Sequence, residues 1–125
     1  MDENELSNAV IGASIEVHRH LGPGLLEAIY RECLAYELQS KQIKVECEVP
    51  LPVCYKGLEF SAGYRADLLA GNKLIVELKA VDTVLPVHTA QLLSYLRLSG
   101  MKLGLLINFN VPHLRSGIKR VVNQL

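Results

Sequence analysis

Glu77 and Lys79 stand two residues apart in the apolar run Leu74–Ala80, so on an extended chain both side chains leave the same face. An acid and a base on one face could be no more than an ion pair, with the lysine reaching solvent at a sheet edge. Asp67 changes that reading, because it also lies among apolar neighbours (Ala66, Leu68 and Leu69) in the preceding extended segment. Two carboxylates a few ångström apart repel, and the charged pair persists only if a cation lies between them. Oxygen donors from Asp67, Glu77 and the Leu78 carbonyl suit a hard divalent ion, Mg²⁺ or Mn²⁺. Such an ion acidifies a bound water and draws charge from a phosphodiester oxygen. Lys79 would stabilise the charge that develops on the phosphorus oxygens.

The surrounding elements decide whether these groups can meet. Leu6, Val10, Ala13, Val17 and Leu21 recur at three and four residues, which predicts a helix stopped by Gly22-Pro23-Gly24. A second helix is expected with Leu26, Ile29, Tyr30, Cys33 and Leu34 on one side. From Ile43 the period becomes two. Four strands are predicted: Ile43 to Val49, Leu51 to Tyr55 with its continuation after Lys56-Gly57, Tyr64 to Leu69, and Leu74 to Ala80. A helix from His88 to Leu98 ending at Gly100, a doubly covered strand Leu103 to Phe109 and a short basic helix Leu114 to Val122 complete the order ααββββαβα. This is an α/β chain with a mixed sheet, expected as one domain over residues 1–125. Parity adds a geometric condition. Opposed residues of an antiparallel hairpin have a constant sum, so Asp67 faces Glu77 only if residue 70 opposes 74. That requires a three-residue loop Gly71-Asn72-Lys73, a five-residue version of it, or a bulge, rather than a two-residue Gly71-Asn72 turn.

Three motifs now fall into line. Tyr64-Arg65-Ala66-Asp67 followed by Val76-Glu77-Leu78-Lys79 resembles the core of the PD-(D/E)xK nucleases, without the proline before the aspartate. Gln91-Leu92-Leu93-Ser94-Tyr95 is similar to the QxxxY motif of RecB-like nucleases, with Gln91 and Tyr95 on one helix face. Gly24-Leu25-Leu26-Glu27-Ala28-Ile29-Tyr30 resembles the motif that names the GxxExxY family of that superfamily. The likeness runs through Gly104-Leu105-Leu106-Ile107-Asn108-Phe109, after which Asn110 replaces an expected glycine. It implies a restriction-endonuclease-like core and a Mg²⁺- or Mn²⁺-dependent nuclease acting on DNA. Asp67, Glu77 and Leu78 would be metal ligands and Glu27 an outer metal or water ligand. Lys79 would stand beside the attacking water, Gln91 would contact phosphate or a metal-bound water, and Tyr95 would position the backbone. Tyr30 is expected in the core. His18 and His88, each on a half-buried helix, are expected to be satisfied locally rather than to ligate.

Composition narrows the rest. Half of the 125 residues are hydrophobic and mean hydropathy is +0.21, yet no run approaches the roughly 20 apolar residues that span a bilayer. No membrane role is expected, and the acidic start, without an apolar signal region, predicts a cytoplasmic protein. Cys33, Cys47 and Cys54 have neither disulfide nor zinc spacing. Formal net charge is zero, but residues 1–82 hold all 13 acids and 8 of the 13 bases, and residues 83–125 hold the other 5 bases with no acid. Arg97, Lys102, Arg115, Lys119 and Arg120 are therefore candidates to meet a polyanion such as DNA, or an acidic protein partner or second subunit. The alternative to an enzyme is a non-catalytic nucleic-acid-binding or assembly module of the same fold.

Overall fold

A computed structural model describes all of residues Met1–Leu125. Helix α1, Glu3–Leu21, opens on a capping box: the Asp2 carboxylate accepts the Glu5 N–H at 2.8 Å while the Glu5 carboxylate accepts the Asp2 N–H at 3.1 Å. It ends at Gly22, whose positive φ of 69° suits glycine. Helix α2, Glu27–Ser40, buries Tyr30, Leu34, Ala35 and Leu38. The stripe is thus turned from the expected one. Leu26 and Ile29 are exposed, because the Tyr30 ring takes the core position and stacks on Phe109.

Strands β1, Val45–Tyr55, and β2, Leu58–Ala70, form one long hairpin, so the four predicted strands merge into two plus β3, Leu74–Lys79. Tyr55 pairs with Leu58 around Lys56-Gly57, both at positive φ, the two-residue turn that matches strand twist. Pro50 and Pro52 did not divide β1, because it is an edge strand with one side free of ladder bonds. Helix α3, Pro86–Ser99, is one residue-pair longer at its start than expected and stops at left-handed Gly100. It carries the chain over to β4, Leu103–Asn108, which runs parallel to β3 and is buried throughout.

The predicted last helix is not there. A 3₁₀ turn, Leu114–Gly117, leads into strand β5, Ile118–Val122, antiparallel to β4. The open edge of β4 offered backbone partners, and the β-branched Ile118, Val121 and Val122 favour a strand over a helix. The Asn123 amide then donates to the Leu96 and Met101 carbonyls, tying the C-terminal segment to the end of α3. The order is ααβββαββ, and the sheet order is β1-β2-β3-β4-β5.

Two cores flank this sheet. On one face α1 and α2 pack on Leu68, Leu74, Val76, Leu78, Leu105 and Ile107. On the other, Leu92 and Leu96 of α3 pack on Leu69, Ile75, Leu106 and Val121. The hairpin changes faces between them. Val45 packs with the helix pair but Val49 with α3, and Leu68 with the helix pair but Ala66 with α3. Residues two or four apart on a regular strand share a face, so both strands turn over at one level, where Glu48 adopts φ 51° and Asp67 lies across from it.

Candidate metal and nucleic-acid site

The β2–β3 register pairs Leu68 with Val76, Leu69 with Ile75 and Ala70 with Leu74 around the three-residue loop Gly71-Asn72-Lys73. The parity condition is met. Gly71 and Asn72 both adopt positive φ, and the Lys73 N–H closes on the Ala70 carbonyl. Beyond Leu68 the regular ladder stops because β2 turns over, and side chains take up the freed backbone groups. The Asp67 carboxylate accepts the Leu78 N–H at 2.8 Å, and the Glu77 carboxylate accepts the Asp67 N–H at 3.3 Å. Asp67 and Glu77 are thereby held side by side where the strands part.

Tyr64 closes this cluster. Its hydroxyl donates to the same Glu77 oxygen, and its ring stacks on Tyr95 at an interplanar angle of 21°. The Gln91 amide lies 3.5 Å from the Tyr95 hydroxyl, so the QxxxY pair reaches Glu77 through Tyr64. Burial first and the Asp67 charge second push the Glu77 carboxyl up to about 7, against the pull of Tyr64, the Asp67 N–H and Lys79. Burial and the Glu77 charge likewise raise the Tyr64 phenol, which keeps it a donor.

Glu27 begins α2 and enters the same field. Burial and then Asp67 raise its carboxyl, while Lys79 and Arg31 oppose the rise. Its placement follows from Tyr30. That hydroxyl donates to the Gly22 carbonyl at 2.6 Å and accepts the Leu25 N–H at 3.1 Å, fixing the loop that leads into Glu27. Lys79 is half-buried and has no carboxylate within 4.0 Å, so the simple Glu77–Lys79 ion pair is absent. Beside it on β4, buried Asn108 accepts the Val81 and Asn110 N–H groups and donates to the Val81 carbonyl. Asn110, where a glycine was expected, donates to Asp82 at 3.0 Å and joins the two loops.

No three or more acidic, histidine or cysteine side chains are drawn into a ready cage. The donors are nonetheless of one kind, carboxylate oxygens, and the Asp67 charge raises the proton affinity of both Glu77 and Glu27. That set fits a hard divalent ion and not a soft one. His18 is satisfied by the Val111 carbonyl at 2.8 Å, and His88 accepts the Leu85 N–H, so both stay local.

The five C-terminal bases do not share one surface. Arg97 and Lys102 lie together at the C-terminal end of α3, away from Lys79, and Arg120 is bound to Asn4 of α1. Arg115 is exposed on the 3₁₀ turn. Lys119 is placed differently: it follows Glu77 and Leu106 across one row of the sheet and lines an open cleft of about 750 Å³ with Thr83, Thr89, Asn108 and Ser116. Tyr64 and Asn108 were not singled out from sequence. A tyrosine three residues before the aspartate and an asparagine closing an apolar run were the available signals, since buried polar tips need partners.

The model of the PD-(D/E)XK nuclease superfamily matches residues 4–121. The chain belongs to that superfamily. Among solved structures it is similar to the crystal structure of SSO0001, with a TM-score of 0.57 and 22% identity over 98% of this chain. At that identity the likeness concerns the fold alone, and this chain spans 60% of SSO0001. No curated protein matches the sequence. No helix is long and apolar enough to cross a membrane.

Proposed function

We propose that the chain is a divalent-metal-dependent nuclease that hydrolyses DNA phosphodiester bonds. The observation that carries this is the reciprocal pair Asp67–Leu78 and Glu77–Asp67, which sets two carboxylates side by side at the parting of β2 and β3. Asp67, Glu77 and the Leu78 carbonyl would hold Mg²⁺ or Mn²⁺, with Glu27 as an outer contact. When bound, the ion supplies an acidified water and neutralises charge on the phosphoryl oxygens.

The chain's own groups do the positioning. Asp67 and Glu77 are fixed by backbone N–H groups, so their geometry costs little to assemble. Tyr64 orients Glu77 and is itself held by Tyr95. Lys79, free of any ion pair, is available to the developing phosphorane charge. Gln91, exposed on α3, would meet a phosphate oxygen or a metal-bound water. Lys119, in the cleft that Leu106 separates from Glu77, would meet the strand.

Single-stranded, duplex and branched DNA incubated with Mg²⁺, Mn²⁺ or EDTA test the reading. Metal-dependent cleavage that Asp67→Asn and Lys79→Gln each abolish is the expected result. Binding without cleavage on every substrate would replace the enzyme by a nucleic-acid-binding module.

A further inference from the structure

Asp67 and Glu27 have cationic neighbours other than Lys79. Arg31 follows Glu27 by one helical turn, and Arg65 precedes Asp67 by two residues on β2. One carboxylate joins them: Glu48 forms an ion pair with Arg31 Nη1 at 3.3 Å through one oxygen and accepts a hydrogen bond from Arg65 Nη2 at 3.4 Å on the other. Glu48 lies across from Asp67 in the register that pairs Cys47 with Leu68 and Val49 with Ala66.

Three features set this group apart from an ordinary surface network. First, two guanidinium groups share a single carboxylate, with Glu32 only at 4.0 Å from Arg31, so the pair has more N–H donors than Glu48 can accept. Second, the Arg31 side chain is only 17% exposed, and its Nε is buried with no hydrogen-bond partner. A buried donor left unpaired costs free energy, so the Arg31 guanidinium is held without its full set of partners. Third, Glu48 is held in the left-handed region, disfavoured for a non-glycine residue, at the level where the hairpin turns over beside Asp67. Arginine forks of this kind match the paired oxygens of a phosphate.

We propose that Arg31 and Arg65 form a phosphate-binding clamp beside the carboxylate centre, held in the free protein by Glu48, whose place a phosphodiester takes. The natural ligand, a nucleic-acid backbone phosphate, rests on the nuclease reading; the clamp itself does not. Glu48 acts as a stand-in anion. It keeps the two arginines oriented and is released to solvent, where 48% of its side chain already lies.

The test uses metal-free full-length protein and two probes. Inorganic phosphate is titrated while the Arg31 Nε–H resonance is followed by NMR, and labelled single-stranded and duplex DNA are titrated across a salt series by anisotropy. Glu48→Gln should tighten both by about tenfold, since it removes the competing charge. Arg65→Gln should lower the salt slope by about 0.7 on single strands and about 0.9 on duplex. Arg31→Lys, which keeps charge but loses the fork, should weaken phosphate binding and leave the slope in place, with its melting temperature checked to confirm folding. If phosphate moves the Arg31 signal and Glu48→Gln strengthens the effect while DNA is not bound, and is not cut when Mg²⁺ or Mn²⁺ is then added, the clamp stands and the nuclease reading falls. If DNA is bound or cut but Glu48→Gln and Arg65→Gln change neither affinity nor slope, the clamp is overturned. An Arg31 signal that ignores phosphate in both wild type and Glu48→Gln overturns it equally.

Discussion

Replacing Glu77 by Gln should make the metal-free protein more stable at alkaline pH. In the folded state burial and the Asp67 charge lift the Glu77 carboxyl from an ordinary 4.5 to about 7. A folded value above the unfolded one means that the native state binds the proton more tightly, so the associated stability is present below about pH 4.5 and is lost as pH rises through 7. At about 1.4 kcal/mol for each tenfold change in proton affinity, the loss amounts to about 3 kcal/mol. For a chain of this length that corresponds to roughly 10 °C in melting temperature. Gln keeps an oxygen to accept the Tyr64 hydroxyl and the Asp67 N–H but carries no charge. Thermal denaturation in EDTA from pH 4 to pH 8.5 therefore has a simple expected form: wild type and Glu77→Gln melt nearly together at pH 4 and separate by about 10 °C in favour of the mutant at pH 8.5. Curves that stay parallel across the range, or a mutant that melts lower at pH 8.5, would refute the argument that this carboxylate is buried against a like charge.

Tyr64→Phe removes a donor that holds the Glu77 proton affinity down, so the pH at which that stability is lost should move upward in the same denaturation series. Tyr30→Phe strands the Gly22 carbonyl and the Leu25 N–H; it should cost about 1–3 kcal/mol in urea unfolding and speed amide exchange in residues 22–27. Asn108→Ala breaks three bonds, two to Val81 after Lys79 and one to Asn110, with an expected loss of about 3 kcal/mol and faster exchange at Val81 and Asn110.

Much of the site was legible because parity is a hard constraint. The interval from Asp67 to Glu77 left few ways to bring both carboxylates to one face, and the three-residue loop Gly71-Asn72-Lys73 is one of them. Both N-terminal helices and the parallel β4 followed from strong periodicity or a continuous apolar run. What sequence did not reveal are features decided by tertiary partners. Residues 114–122 have apolar spacing acceptable to a helix, and only the vacant edge of β4 makes them a strand. The face change at Glu48 and Asp67 rests on a single left-handed residue that is neither Gly nor Asn, so no local signal announces it. The same change ends the ladder and frees the backbone groups that Asp67 and Glu77 bind, and it carries Ala66 into the α3 core. Charge counting along the chain likewise could not show that Lys119 and Arg120, adjacent in sequence, serve opposite faces.

Calorimetric titration of Mn²⁺ into wild type, Asp67→Asn and Glu77→Gln tests most directly whether the two carboxylates share one ion. The account predicts a single site in wild type whose affinity falls as pH drops below about 7, because Glu77 must give up its proton, and no measurable binding in either mutant although both remain folded. Mn²⁺ affinity unchanged in both mutants would contradict it.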